Sequence, residues 1–475
     1  MRRCGASLAI LLALAAQSSA QVERYDLGLK LRAFDIAWDA QADRNARRRA
    51  LPELKKVVPL FLAGREMDAG QALDRTRFLL QSAEPATAAE RWAVALVSRP
   101  SARLLDPSSG PLAVELRTLY DPKVDLPAKA AVVCTLLPAD RAGANAVAEP
   151  ITATPQRVSV AVEHLAEGDY TLRVVIASHD KELATHEHTI SVVPQLAKRM
   201  KSVWLESAAG GAATTERLTL KALSELLTAL VGRSVFETSY PAARLVVEAE
   251  ALAKSVPANA RYYGPERPGQ FWVTLAAGRS EAPVRLFVPG GMAADKPVPL
   301  VVAMHGLGGS ENLFFDAYGH GAIVRECKAR GWLLVATRSG GFTDVPPVAG
   351  IVDELARLYP VDRSRVFVLG HSMGATHTID VAQGMSGKIA AVAALGGGGT
   401  VRRPEAVKGL PVFVGCGAED FVLVWSRTLA RSLESAGAKV RVKEYADVEH
   451  VVVVREALKD VFEFFEAAKG ASQKG

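Results

Sequence analysis

The stretch Val366-Phe367-Val368-Leu369-Gly370-His371-Ser372-Met373-Gly374-Ala375 decides the fold of this chain. Four apolar residues, β-branched and aromatic types among them, predict a buried strand. They run straight into Gly-x-Ser-x-Gly, and residues 375–382 then carry helical spacing. Strand, tight turn, helix is the setting in which a nucleophilic serine is presented at the top of a sheet. Gly370 and Gly374 lack a Cβ, so strand and helix can come close while Ser372 is held strained and exposed. The pentapeptide alone arises easily by chance, and its weight comes from what flanks it.

Outward from this elbow the pattern is α/β. Residues 271–276 and 283–288 predict a first hairpin, and 299–304 is apolar throughout, as a central strand is. A helix over 312–330, a strand over 332–336 and a helix over 351–359 lead to the elbow. Beyond it, 389–395, 411–414 and 439–445 predict strands, and 422–436 and 453–468 predict helices. Such alternation gives a mostly parallel sheet covered on both faces, with ligands bound past the carboxyl ends of the strands.

A serine hydroxyl attacks only when an oriented base takes its proton. On such sheets the acid follows the nucleophile and the histidine comes last. Gly415-Cys416-Gly417-Ala418-Glu419-Asp420 follows a predicted strand, and Asp420 is the expected acid, with Glu419 as the rival one residue away. His450 is the sole histidine after Asp420 and is the expected base. The oxyanion of a tetrahedral intermediate needs two backbone N–H donors. Met373, following the serine, is one. The other is expected in His305-Gly306-Leu307-Gly308-Gly309-Ser310, where Leu307 is preferred over Gly306. His305 suits a loop-holding hydrogen bond, and packing roles are expected for His371 and His377. The glycine-rich loops 339–344 and 396–399 follow strands and are expected to rim the pocket.

Leu300-Val301-Val302-Ala303-Met304-His305-Gly306-Leu307-Gly308-Gly309 resembles the His-Gly-x-Gly-Gly oxyanion segment of α/β-hydrolase esterases. Tyr359-Pro360-Val361-Asp362-Arg363-Ser364-Arg365-Val366, leading into Gly370-His371-Ser372-Met373-Gly374, is similar to the approach in feruloyl-esterase and polyhydroxybutyrate-depolymerase-like enzymes. Prolyl-oligopeptidase-like hydrolases share it. The resemblance covers about 271–468. It implies an α/β-hydrolase domain with Ser372, Asp420 and His450 as triad, Leu307 and Met373 as oxyanion donors, and no cofactor. Ala375 departs from the further glycine of many relatives.

The remaining chain predicts four more sections. Residues 1–20 read as a secretory signal: Arg2 and Arg3, an apolar run over 8–16, then small residues before Gln21. Residues 21–88 carry helical spacing, in which Arg47-Arg48-Arg49 reads as a solvated face. Short alternating runs over 89–194, beginning with 92–97, predict a β-sandwich. There Gly168-Asp169-Tyr170-Thr171-Leu172-Arg173-Val174 resembles the late strand of immunoglobulin-like domains. His186 and His188, on one strand face, read as solvated edge residues rather than a metal site. Residues 195–262 predict a helical connector, with Gly232 as a stop, and 263–475 the catalytic domain.

Composition excludes several functions. The 475 residues carry a formal charge of +6, and +4 without Arg2 and Arg3, too little for a nucleic-acid partner. No apolar run is long enough for a membrane span. Cys4 would leave with the signal, so Cys134, Cys327 and Cys416 remain, an odd number without metal-ligand spacing. The expectation is an exported, periplasmic or extracellular, serine hydrolase of carboxylic esters acting on a small-molecule or polymer-borne substrate. The alternatives are a peptidase with the same triad and a non-enzymatic protein whose N-terminal half contacts a glycan or protein.

Overall fold

The computed structural model describes residues 24–138, 145–231 and 239–468. The expected signal at 1–20 and the stop at Gly232 lie outside them. The described residues divide into two compact units: 24–38, 59–209 and 223–254 form one, and 39–58, 210–222 and 255–468 the other. The division cuts across both the expected helical segment and the expected connector.

The first unit holds eight strands: β1 (Leu96–Pro100), β2 (Leu104–Leu105), β3 (Leu112–Thr118), β4 (Ala130–Pro138), β5 (Asn145–Pro150), β6 (Gln156–Val160), β7 (Gly168–Ser178) and β8 (Lys181–Val192). They form two sheets, ordered β1-β3-β6 and β2-β8-β7-β4-β5. Val114 and Val158 of one sheet and Val132, Leu172 and Ile190 of the other share a single apolar cluster, so the sheets make a sandwich. Along β4 and β7 buried residues alternate with half-buried ones, the period-2 signature of a strand with one face on a core.

Two expectations need correction here. Residues 92–97 are not one strand, because a helix, Ala88–Ala95, occupies most of the run before β1. Thr87 and Glu90 form a reciprocal capping box at its start, a local signal that overrides the β-branched composition. His186 and His188 are not solvated edge residues either, since both imidazoles are taken up by hydrogen bonds to side chains of the same unit. His188 Nε2 lies 2.7 Å from Ser98 Oγ and its Nδ1 2.7 Å from Tyr25 Oη, while His186 Nδ1 lies 3.0 Å from Ser98 Oγ. Nearby, Lys30 and Asp74 form a buried ion pair at 2.9 Å.

The second unit is built on β9 (Gly269–Ala277), β10 (Ser280–Val288), β11 (Val298–Met304), β12 (Leu333–Thr337), β13 (Val361–His371), β14 (Ala391–Leu395), β15 (Pro411–Gly417) and β16 (Lys439–Tyr445). They form one eight-stranded sheet ordered β16-β15-β14-β13-β11-β12-β10-β9. β10 pairs antiparallel with β9 and β12, and every other pairing is parallel. This order and this mixture are those of the α/β-hydrolase fold. From β11 the chain runs to β12 on one side and then returns to β13 on the other, so the switch of direction falls between β11 and β13. In open α/β sheets that crevice is where ligands bind.

The helix expected over 312–330 is broken. A short helix, Leu313–Asp316, is followed by Tyr318–Arg330, whose first residues are left-handed: φ is 50° at Tyr318, 78° at Gly319, 53° at His320 and 65° at Gly321. A Cβ on Gly321 would lie 2.3 Å from the Phe315 carbonyl oxygen, so the turn requires glycine there. Apolar spacing registers neither the turn nor the contact. Among the described residues no helix is long and apolar enough to cross a membrane, and Cys134, Cys327 and Cys416 are buried free thiols.

Candidate active site

Ser372 stands between the end of β13 and the helix Met373–Gly384, with φ 57° and ψ −117°. A non-glycine residue held there costs ~1–3 kcal/mol, and the surroundings leave it no alternative. A Cβ on Gly370 would fall 2.1 Å from the Gly374 carbonyl oxygen, and one on Gly374 would fall 2.0 Å from that of Met304. The elbow is therefore clamped between its own helix and β11. Ser372 N–H donates to the Leu395 carbonyl at 2.9 Å, which ties the turn to β14.

Asp420 follows β15 and is buried. Both of its carboxylate oxygens lie 3.0 Å from His450 Nδ1, and Oδ1 also accepts the Val422 N–H at 3.0 Å. The rival Glu419 points elsewhere, into an ion pair with Lys55. One residue of difference in a turn reverses the direction of the side chain, and this is the distinction that sequence left open. His450 is buried between two rings, with the Phe421 centroid at 4.8 Å and the His371 centroid at 4.6 Å.

The loop after β11 lies over the elbow: a Cβ on Gly306 would stand 3.1 Å from Ser372 Cβ. Leu307 is next along this loop and is exposed. Met373 opens its helix, and the N–H groups of a first turn have no acceptor within the helix. His305 holds the loop. Ser339 N–H donates to its Nε2 at 3.2 Å, so Nδ1 carries the proton and donates to the Gly306 carbonyl at 2.7 Å. Burial pushes the His305 imidazole below its ordinary range, consistent with this neutral tautomer. His377 Nε2 bonds the Phe342 carbonyl at 3.2 Å, fixing the 339–344 loop. The 396–399 loop touches the elbow as well, since a Cβ on Gly397 would meet the Ser372 carbonyl oxygen at 2.5 Å.

Three features carried no clear signal in the sequence. Glu449, beside the histidine, is buried, and burial pushes its carboxyl up to about 7, with Asp420 adding to the rise. Cys416 is likewise buried near Asp420, and its thiol is pushed up to about 12, so it stays neutral. The helix Arg44–Leu54, some four hundred residues from His450 in sequence, reaches the loop before His450 and the helix after it: Arg48 pairs with Asp447 at 2.7 Å and Arg47 with Glu456 at 3.3 Å. Arg47 and Arg48 therefore dock this helix, in a run expected to be a solvated face. Ion pairs so far apart in sequence leave no local pattern.

Exposed apolar side chains surround these groups. Phe421 and Trp425 are half or more exposed, at 50% and 60%, and Leu307 and Phe342 are exposed too. Trp425 Cβ would lie 3.4 Å from a Cβ on Gly398, which joins it to the 396–399 loop. Among the described residues no group of three or more histidine, cysteine or carboxylate side chains could hold a metal ion.

Residues 348–472 match the Dienelactone hydrolase family. The chain is 27% identical over 156 residues to the bifunctional acetylxylan esterase/xylanase XynS20E of Neocallimastix patriciarum, covering 31% of this chain and 22% of that protein. The chain thus spans less than a quarter of the length of that curated relative. Among solved structures it is similar to the ferulic acid esterase AmCE1/Fae1A of Anaeromyces mucronatus, in complex with ferulic acid. That likeness has 16% identity and a TM-score of 0.35, and covers 44% of this chain and 93% of that one. It is also similar to the fluorophosphonate-binding serine hydrolase FphF of Staphylococcus aureus, at 16% identity and a TM-score of 0.34, covering 42% of this chain and 99% of that one.

Proposed function

We propose that the chain is a serine hydrolase of carboxylic esters, working through a covalent acyl-enzyme. The observation that carries this reading is the contact of His450 Nδ1 with both Asp420 oxygens at 3.0 Å, on loops beyond the same sheet edge as the strained Ser372. A carboxylate on Nδ1 fixes the tautomer in which Nε2 is free to accept a proton. Ser372 Oγ attacks the acyl carbon and His450 Nε2 takes its proton. The oxyanion is held by the N–H groups of Met373 and Leu307, with Gly306 as the alternative to Leu307. The tetrahedral adduct collapses, His450 returns the proton to the departing alcohol, and the acyl group stays on Ser372. Water then repeats the sequence and releases the acid.

Kinship with the Dienelactone hydrolase family over 348–472, and with a protein named for acetylxylan esterase activity, favours esters over peptides. The exposed Phe421 and Trp425 suit a substrate with a flat apolar portion. Export through the signal at 1–20 belongs to the same proposal. The test is a panel of aryl esters beside peptide anilides. Turnover of the esters, with an initial burst of alcohol equal to the enzyme present, is expected. Faster turnover of the anilides would overturn the ester assignment in favour of a peptidase.

A further inference from the structure

His371 precedes the proposed nucleophile, and it is wholly engaged. The His450 carbonyl, 3.1 Å from His371 Nε2, can only accept, so Nε2 carries the proton and donates. Nδ1 is then an acceptor, and Tyr318 Oη stands 2.6 Å from it. The hydroxyl therefore donates to His371, and His371 donates to the main chain of the residue that carries the base. Burial pushes the His371 imidazole well below its ordinary range, with His450 nearby as a lesser cause, which keeps this single tautomer in place.

Tyr318 is delivered to this bond by an unusual piece of backbone. Four successive residues, Tyr318 to Gly321, are left-handed, two of them without being glycine. Arg325 holds the turn by donating to the Gly319 and His320 carbonyls, each at 2.6 Å. The Tyr318 ring is packed edge-on between Phe314, at 5.0 Å between centroids, and His371, at 5.2 Å. A continuous helix over 312–330 would avoid the left-handed turn and would place Tyr318 elsewhere. Strain of this kind persists where the surroundings demand it, and it concentrates at functional sites.

We propose that Tyr318 and His371 are a positioning pair that fixes the His450 loop against the nucleophile elbow. The inference rests on the reading of Ser372 and His450 given above. His371 and Ser372 are adjacent in the chain, so a hydrogen bond from His371 to the His450 main chain ties nucleophile and base to one rigid point. Without it the His450 loop keeps its hydrogen bonds to the Asp420 loop, such as Glu419 N–H to the Val448 carbonyl at 3.0 Å, but loses this direct tie to the residue before the nucleophile. Misplacement of a catalytic group by about 1 Å can cost a hundredfold in rate.

The experiment compares His371→Leu, His371→Gln and Tyr318→Phe with the parent, reading kcat and KM on an aryl ester, the rate of fluorophosphonate labelling, and the melting temperature. Leucine fills similar space without a donor, whereas the glutamine amide can place an N–H near the position of Nε2. Expected are a kcat lowered about 10- to 100-fold in His371→Leu with KM nearly unchanged, substantial recovery in His371→Gln, and a loss of about fivefold in Tyr318→Phe. The labelling rates should follow kcat. Parental kcat in His371→Leu would overturn the proposal. So would equal impairment of the leucine and glutamine variants in step with their melting temperatures, which marks a packing role. If leucine prevents folding, Tyr318→Phe, which keeps the ring, decides: parental kcat there overturns the proposal. Failure of the parent to label at all would instead refute the underlying reading of Ser372.

Discussion

Glu449 makes the stability of this protein depend on pH in a direction opposite to that of most carboxylates. Its carboxyl is buried beside His450, ionises at about 7 where its ordinary value is 4.5, and accepts the Val451 N–H at 2.7 Å. In the interval between the two values the folded chain holds a proton that the unfolded chain has released. Stability from this group is therefore fully present below 4.5, declines as pH rises, and is lost once pH passes about 7. At 1.36 kcal/mol per pH unit, the loss by about pH 8 is at most ~3 kcal/mol. Glu449→Gln keeps a carbonyl for Val451 and removes the charge. Urea melts of parent and variant at about pH 5 and about pH 8 should show the variant gaining up to ~3 kcal/mol between the two conditions. For a unit of this size that corresponds to a relative rise in melting temperature of about 6–12 °C. A parent-to-variant difference independent of pH would refute the reasoning, because it would mean that Glu449 is already ionised at the lower pH.

Three further outcomes follow from contacts described above. Asp420→Asn should lower kcat on an aryl ester by about 10⁴ with KM little changed, because the amide favours the wrong imidazole tautomer; steady-state kinetics showing a loss below tenfold would contradict this. Trp425→Ala should raise KM for a naphthyl ester about fivefold while leaving that for a small acetate ester alone, since an exposed ring beside the 396–399 loop serves only bulky substrates; equal changes for both esters would count against it. In the first unit, Lys30→Met should cost about 2–4 kcal/mol, because buried Asp74 loses its nearest cation and keeps only Arg77 at 3.4 Å and the Tyr120 hydroxyl at 2.9 Å; chemical denaturation showing a cost below 1 kcal/mol would contradict it.

Much of the second unit was legible because its signals are local. Gly370 and Gly374 are required by contacts of 2.1 and 2.0 Å, and such requirements appear in sequence as glycine at fixed spacing. Strands buried on both faces, such as β11, appear as uninterrupted apolar runs. The residue of the loop after β15 that faces His450 was legible to within one position. Only the fold shows that Asp420 turns in toward His450 while Glu419 turns out to Lys55. The helix Ala88–Ala95 departs from the expected strand because short apolar runs do not distinguish helix from strand, although Thr87 and Glu90 carry the spacing of a capping box. The left-handed turn at Tyr318 is marked in the sequence only by Gly319 and Gly321, and the hydrogen bonds of His371 and the ion pairs of the Arg44–Leu54 helix have no local signature. Each depends on partners brought together by the finished fold.

The central claim is that Ser372 is an activated nucleophile. The most direct measurement is covalent labelling of the full chain by a fluorophosphonate probe, with Ser372→Ala and His450→Ala alongside. The account predicts stoichiometric labelling of the parent on the peptide that carries Ser372, none in Ser372→Ala, and a rate lowered by at least about a hundredfold in His450→Ala. An unlabelled parent with a normal melting transition, or undiminished labelling in Ser372→Ala, would contradict it.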